Sequence, residues 1–291
     1  MMKLCIQAWK CGIERWRLIL QVYLIQLILI LFLGFQFYDL INTNLSHSLE
    51  VEKLVTQFDY TVFSDFLKSS GKQLANILTQ LKYLIPVWLL IAIFLDSCQL
   101  LSVMSNKNTS TILLFQKMIN HFASIFKIVF VILVISIIWS LLVFLPLVLN
   151  LEKMLESFSS EKYALLIILV LFILWIFGIV VLFVWSVLTR LELLANGSSI
   201  FNSLRIAWSK FLVIRGNALF FMLLYLLIHV FVFLLYLFIE GKSGMTSNLL
   251  ICIFIILQQS IIIFRIQLRL MVYSGLLEMS RMNNKNYSTV N

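Results

Sequence analysis

Along the chain, long apolar runs alternate with shorter segments in which charged and polar residues return at helical spacing. Six runs are long enough to cross a bilayer: Leu18–Tyr38, Leu84–Met104, Ile128–Leu149, Tyr163–Leu188, Ala218–Ile239 and Leu249–Leu270. A crossing takes about 20 mostly apolar residues for roughly 30 Å of hydrocarbon, and a helix lets such a run satisfy its own backbone groups there. The pattern predicts an all-α polytopic membrane protein with six transmembrane helices. Lys3, Lys10, Arg15 and Arg17 precede the first run as basic residues precede a secretory leader, but the run is long. No Ala-x-Ala-type site follows Phe35–Tyr38, so it reads as a retained span.

The segments between the runs repeat. "STILLFQKMINHFASIFK" (Ser110–Lys127) aligns without gaps to "SSIFNSLRIAWSKFLVIR" (Ser198–Arg215) at an offset of 88 residues, so that Ser110 meets Ser198, Lys117 meets Arg205 and Lys127 meets Arg215. A fainter third copy has Ala8-Trp9 in the place of Ala207-Trp208. The repeat predicts three units, 1–106, 107–194 and 195–291, each a basic amphipathic arm followed by a two-span hairpin.

In the last arm, Asn196-Gly197 signals a turn, and Ser198 or Ser199 caps the helix after it. Ile200, Phe201, Leu204, Trp208, Phe211 and Leu212 then take one side, and Asn202, Ser203, Arg205, Ser209 and Lys210 the other. Two placements fit. In one the helix lies flat in the headgroup region, with Trp208 at the interface and Arg205, Lys210 and Arg215 facing anionic lipid at about 1 kcal/mol each. Lys117 and Lys127 play the same part in the earlier arm. In the other placement the arm is a connector packed on the bundle.

The segment 39–83 is the one sizeable polar loop. "SHSLEVEKLVTQF", "DYTVFSDFLKS" and "SGKQLANILTQLKYL" read as two or three short amphipathic helices, the last opened by a Ser70/Gln73 capping box. They cap the bundle or lie on lipid in one reading, and dock a partner or admit cargo in the other.

Composition agrees with the spans: 62% of the 291 residues are hydrophobic and 12% charged, against about 45–50% apolar in a soluble domain. The net charge of +9 would suggest nucleic acid in a soluble chain, so its position decides. With the N-terminus inside, the cytoplasmic segments hold fifteen basic residues and three acids, and the outer segments seven and nine, which gives +12 and −2. Every loop obeys the positive-inside rule with both termini cytoplasmic. The basic surplus thus reports topology, and nucleic acid is excluded as a partner. Membrane lipids, anionic lipid at the cytoplasmic face and a membrane protein are the expected partners, and a cell (inner) membrane the expected location.

The six spans, cytoplasmic ends and Ser-rich turn leading into "SLRIAWSKF" resemble bacterial membrane families, most nearly the membrane domain that accompanies glycerophosphodiester phosphodiesterases. The resemblance covers topology and the arm motifs. It implies no hydrolytic activity, because those enzymes carry a soluble catalytic domain and almost all of this chain is taken up by its spans.

Polar groups within the hydrocarbon are the remaining candidates for chemistry. His229 has Tyr225 one turn earlier on its face, and lies at a depth similar to Gln258 and Gln259 on the sixth span. Together they form either a packing hydrogen bond or a proton or ligand site. Asp96 in "IFLDSCQLL" is the one acid well inside a span. Arg190, Arg265 and Arg269 are candidate partners at similar depth, and a pair among them would build an inner-leaflet site suited to a lipid headgroup or other anion; otherwise the arginines snorkel to phosphate.

His47, His121 and His229 fall outside, inside and within the membrane, so they cannot form one metal centre. The cysteines Cys5, Cys11, Cys98 and Cys252 are cytoplasmic or in spans and predict no structural disulfide. Gly-x-Ser-x-Gly, P-loop and dinucleotide motifs are missing, so no enzyme, no cofactor and no catalytic residues are expected. Two functions stay open: a scaffold or accessory subunit of a membrane assembly, and a transporter or binder of a lipid or small amphiphile.

Overall fold

A computed structural model describes residues 2–45, 60–105, 109–149, 161–197, 199–243 and 248–288. The described residues form seven helices and no strand: α1 Met2–Glu14, α2 Trp16–Leu45, α3 Tyr60–Met104, α4 Thr111–Leu149, α5 Glu161–Asn196, α6 Ile200–Ser243 and α7 Asn248–Ser288. Six of them, α2 to α7, are long and apolar enough to cross a membrane, and each carries one of the six runs read from the sequence. The protein is an all-α, multi-pass membrane protein.

The helices run far past the apolar runs that predict them. At 1.5 Å per residue the 44 residues of α6 extend about 66 Å, twice the hydrocarbon thickness. The segment read as short amphipathic helices is correspondingly different: residues 39–45 continue α2, and 60–83 are the first part of α3. Ser70 lies buried in mid-helix and starts nothing. Carrying Ser70-Gly71 within a helix costs about 1–1.7 kcal/mol relative to two alanines, whereas a new helix would need its own unfavourable nucleus. Residues 46–59, with most of "SHSLEVEKLVTQF", lie outside the described residues.

The described chain divides into two compact units, Leu20–Leu95 and a larger one made of Met1–Ile19 and Asp96–Asn291. In the smaller unit, Leu40 of α2 and Ile77 of α3 are buried in a cleft of about 360 Å³ otherwise lined by polar residues such as Gln36, Thr43, Gln73 and Gln80.

In the larger unit, α5 and α6 are joined by Gly197, whose φ of 59° is the left-handed conformation that glycine adopts without a Cβ penalty. Its N–H donates to the Leu193 carbonyl at 3.0 Å. Of the two candidate caps, Ser199 shows the bond: its Oγ accepts from the Asn202 N–H at 3.5 Å, as Ser110 Oγ does from Leu113 at 3.4 Å. Ser198 is outside the described residues. The two caps are therefore one residue out of step with the alignment of the arms.

Packing is concentrated in part of each helix. Val184, Val187, Leu188 and Leu191 of α5, Ala207, Phe211, Ala218 and Phe221 of α6, and Leu268, Met271, Tyr273 and Leu276 of α7 form one core with Leu4 and Ala8 of α1 and Leu100 of α3. The remainder of α5 and α7 is faced with exposed Leu, Ile and Phe such as Leu165, Ile173, Ile253 and Ile256, as suits a surface against lipid chains. A second contact ties α4 to α5. The Trp139 indole donates to the Trp175 carbonyl at 3.3 Å, and the Trp175 indole to Ser140 Oγ at 2.9 Å. Gly178 makes room for it, since a Cβ there would stand 2.1 Å from the Trp139 ring nitrogen.

Candidate functional site

The last arm and the span after it are one unbroken helix, α6, as the earlier arm and its span are in α4, whereas at the N-terminus α1 and α2 are separate helices. On α6 the buried stripe is Ser203, Ala207, Phe211 and Ile214, which shares Phe211 with the apolar side read from the sequence and takes in Ser203 from its polar side. Small residues bring backbones close, so Ser203 and Ala207 face the bundle while Phe201 and Trp208 stay 78% and 41% exposed. The arm is thus packed on the bundle along one stripe rather than lying free of it. Lys210 is turned inward as well. Its Nζ pairs with Glu192 Oε1 at 2.5 Å, and Glu192 Oε2 also accepts from the Asn196 amide at 3.1 Å, binding the end of α5 to α6. Arg205, Arg215, Lys117 and Lys127 are exposed.

The hydrogen-bond group proposed around His229 is arranged differently. Gln258 Nε2 donates to the Tyr236 hydroxyl at 2.6 Å, and the Tyr236 ring meets Phe254 edge-on at 6.2 Å. Antiparallel pairing of α6 with α7 in that register puts His229, seven residues before Tyr236, level with Arg265, seven residues after Gln258. His229 is half-buried there. Tyr225 is buried against Phe221, ring centroids 4.7 Å apart, and Gln259 is half-buried. Tyr236→Phe is expected to weaken the α6–α7 contact by about 0.6 kcal/mol, the mean for such bonds between membrane helices, in unfolding measurements in mild detergent. His229→Ala should leave that hydrogen bond intact.

The polar centre of the larger unit is Asp96. It sits on α3 next to buried Ser97, Cys98 and Gln99 and meets donors from two other helices. Arg190 Nη1 of α5 reaches Oδ2 at 2.6 Å, while Arg269 Nη1 and the Tyr273 hydroxyl of α7 reach Oδ1 at 3.1 and 2.5 Å. Arg269 and Tyr273 are four apart and share a helix face, which is how one helix supplies two donors to one oxygen. Arg190 is fixed further: its Nε donates to the Ser186 carbonyl at 3.4 Å, and its guanidinium lies 5.9 Å from the centre of the Tyr273 ring, within cation–π range. Phe183 stacks on that ring at 6.5 Å.

Of the three arginines proposed for Asp96, the structure brings in Arg190 and Arg269 and leaves out Arg265. Arg265 is one turn, about 5.4 Å, away from Arg269 along α7, and its side chain is exposed. Tyr273 was not read from the sequence, although its spacing from Arg269 is the signal that could have found it. The Glu192–Lys210 pair had no comparable signal, because its partners come from two helices joined by a turn.

The cluster carries two positive charges and one negative. Asp96 and Arg190 side chains are 17% and 4% exposed, whereas Arg269 is 36% exposed. Each carboxylate oxygen already has a charged partner, so the group serves as a three-helix clasp with a surplus cation at its edge. No family model matches the chain, and neither does any curated protein or solved structure.

Proposed function

We propose that this protein is a non-enzymatic scaffold or accessory subunit of a bacterial cytoplasmic-membrane assembly, with both termini in the cytoplasm. The observation that carries the reading is that Asp96 has both of its oxygens engaged by side chains from neighbouring helices. The one acid well inside a span has its two oxygens engaged by Arg190, Arg269 and Tyr273, amid side chains such as Leu100 and Met271 that are fully buried. A carboxylate whose two oxygens both pair with cations from other helices joins those helices, and its charge is taken up by them rather than by cargo or protons. The exposed apolar faces of α4 and α5 then supply area for a membrane partner, and the threefold arm-and-hairpin repeat and the resemblance of the arms to the phosphodiesterase-associated membrane domain belong to the same proposal.

A second reading has one observation in its favour: the surplus positive charge and the partial exposure of Arg269 suit a phosphate-bearing lipid or small amphiphile. Purification in mild detergent followed by native mass spectrometry separates the two. A stoichiometric protein partner, retained in Arg269→Gln, is the result expected of a scaffold. A partner-free chain carrying a lipid that Arg269→Gln removes would replace it with the second reading.

A further inference from the structure

Residues of α4, α5 and α6 line an open groove of about 600 Å³. Val131 and Ile135 of α4 form one wall, and Trp185 of α5 with Leu204 and Trp208 of α6 the other, with Phe201 and Arg205 also lining it. The tryptophan wall is held in place. The Trp185 indole donates to the Leu204 carbonyl at 3.1 Å, and the Trp208 ring meets Trp185 at 5.3 Å in a T-shaped contact.

The groove has two chemistries. Its walls are apolar, and its polar edge is cationic. Among the described residues Arg205 has no ion-pair or hydrogen-bond partner, in contrast to Lys210 two positions past Trp208, which Glu192 neutralises. Lys127 stands one turn before Val131 on the same stripe of α4, exposed and likewise without a partner among the described residues. Indoles and unpaired basic side chains beside an apolar wall are the combination found where lipid headgroups meet acyl chains.

From this we infer that the groove is a binding site for a single anionic phospholipid, its phosphate on Arg205 and one acyl chain laid along Val131 and Ile135. Charge selects the occupant: the cationic edge at Arg205 and Lys127 matches a phosphate, and the volume falls within the range of about 300–1,000 Å³ of ligand-sized sites. The inference stands apart from the scaffold reading, since none of its residues belongs to the Asp96 clasp.

The test reconstitutes the full chain in phosphatidylcholine vesicles and titrates in lipid with brominated acyl chains, which quench nearby indoles. The signal of Trp208 is isolated as the difference from Trp208→Phe. Brominated phosphatidylglycerol is expected to quench it at about fivefold lower mole fraction than brominated phosphatidylcholine, the factor that one basic residue's contribution converts to. Arg205→Gln should abolish that preference, and Arg215→Gln, on the same arm outside the groove, should keep it. Lipid analysis of the purified protein, with no tryptophan altered, should show phosphatidylglycerol retained by the wild type and Arg215→Gln and lost from Arg205→Gln. Equal quenching by the two lipids, a preference that survives Arg205→Gln, or no quenching because a partner protein fills the groove would each overturn the inference.

Discussion

Replacing Asp96 by alanine is expected to destabilise the protein by about 3–5 kcal/mol, the usual result of removing one partner from a buried ion pair. Nearly all of that loss comes from Arg190. With 4% of its side chain exposed, it cannot reach water when its counter-charge goes, whereas Arg269 at 36% can turn away. The asymmetry makes the prediction specific. Asp96→Ala combined with Arg190→Leu should recover a large part of the loss, because no uncompensated charge then remains, while Asp96→Ala with Arg269→Leu should recover little. Thermal unfolding in mild detergent reads the difference. Equal rescue by both second changes would mean that the two arginines are equivalent and that the clasp is not centred on the Asp96–Arg190 pair.

The second large effect is expected at Gly275, on α7 two residues past Tyr273. A Cβ there would lie 2.2 Å from the Phe221 ring, and that ring is fully buried with Tyr225 4.7 Å away on the same helix. Neither helix can yield without disturbing the core. Gly275→Ala should therefore cost about 1–3 kcal/mol, the range for overpacking, and more for a larger residue. Phe221→Leu placed beside Gly275→Ala should return part of it by making space. Gly34 offers a control of the same chemistry, since nothing lies within 4 Å of a Cβ at that position. An alanine scan in which Gly34 and Gly275 behave alike would show that the α6–α7 contact is looser than described.

The spans were legible because a membrane crossing leaves a long unbroken signal: each predicted run lies within one of α2 to α7. Where the helices end was not legible, since residues such as Tyr60–Tyr83 are polar enough to read as a loop yet continue the helix of Leu84–Met104. Hydrophobic pattern reports what lipid tolerates, not where backbone hydrogen bonding stops. Asp96 stood out for the same reason, as an expensive group in an apolar run, and Arg190 and Arg269 followed from depth. Choosing between Arg265 and Arg269 required the rotation of α7, which a sequence with arginines at both positions leaves open. The arm of α6 shows the opposite difficulty. Its apolar side was read as facing either lipid or the bundle; Phe211 of that side is buried together with Ser203 and Ala207, while Phe201 and Trp208 stay outward, because close helix approach rewards small side chains.

The proposed topology puts the arginine-rich helix ends, the clasp and both chain termini on one side of the membrane. Labelling with a membrane-impermeant thiol reagent tests it directly, with Cys5, Cys11, Cys98 and Cys252 first replaced by serine and single cysteines introduced at Lys10, Asn44, Lys117, Lys242 and Arg281. Intact cells are expected to label the positions at Asn44 and Lys242 alone, and those at Lys10, Lys117 and Arg281 should label once the membrane is opened. Labelling at Lys10 and Arg281 from opposite sides, or at Lys117 in intact cells, would contradict it.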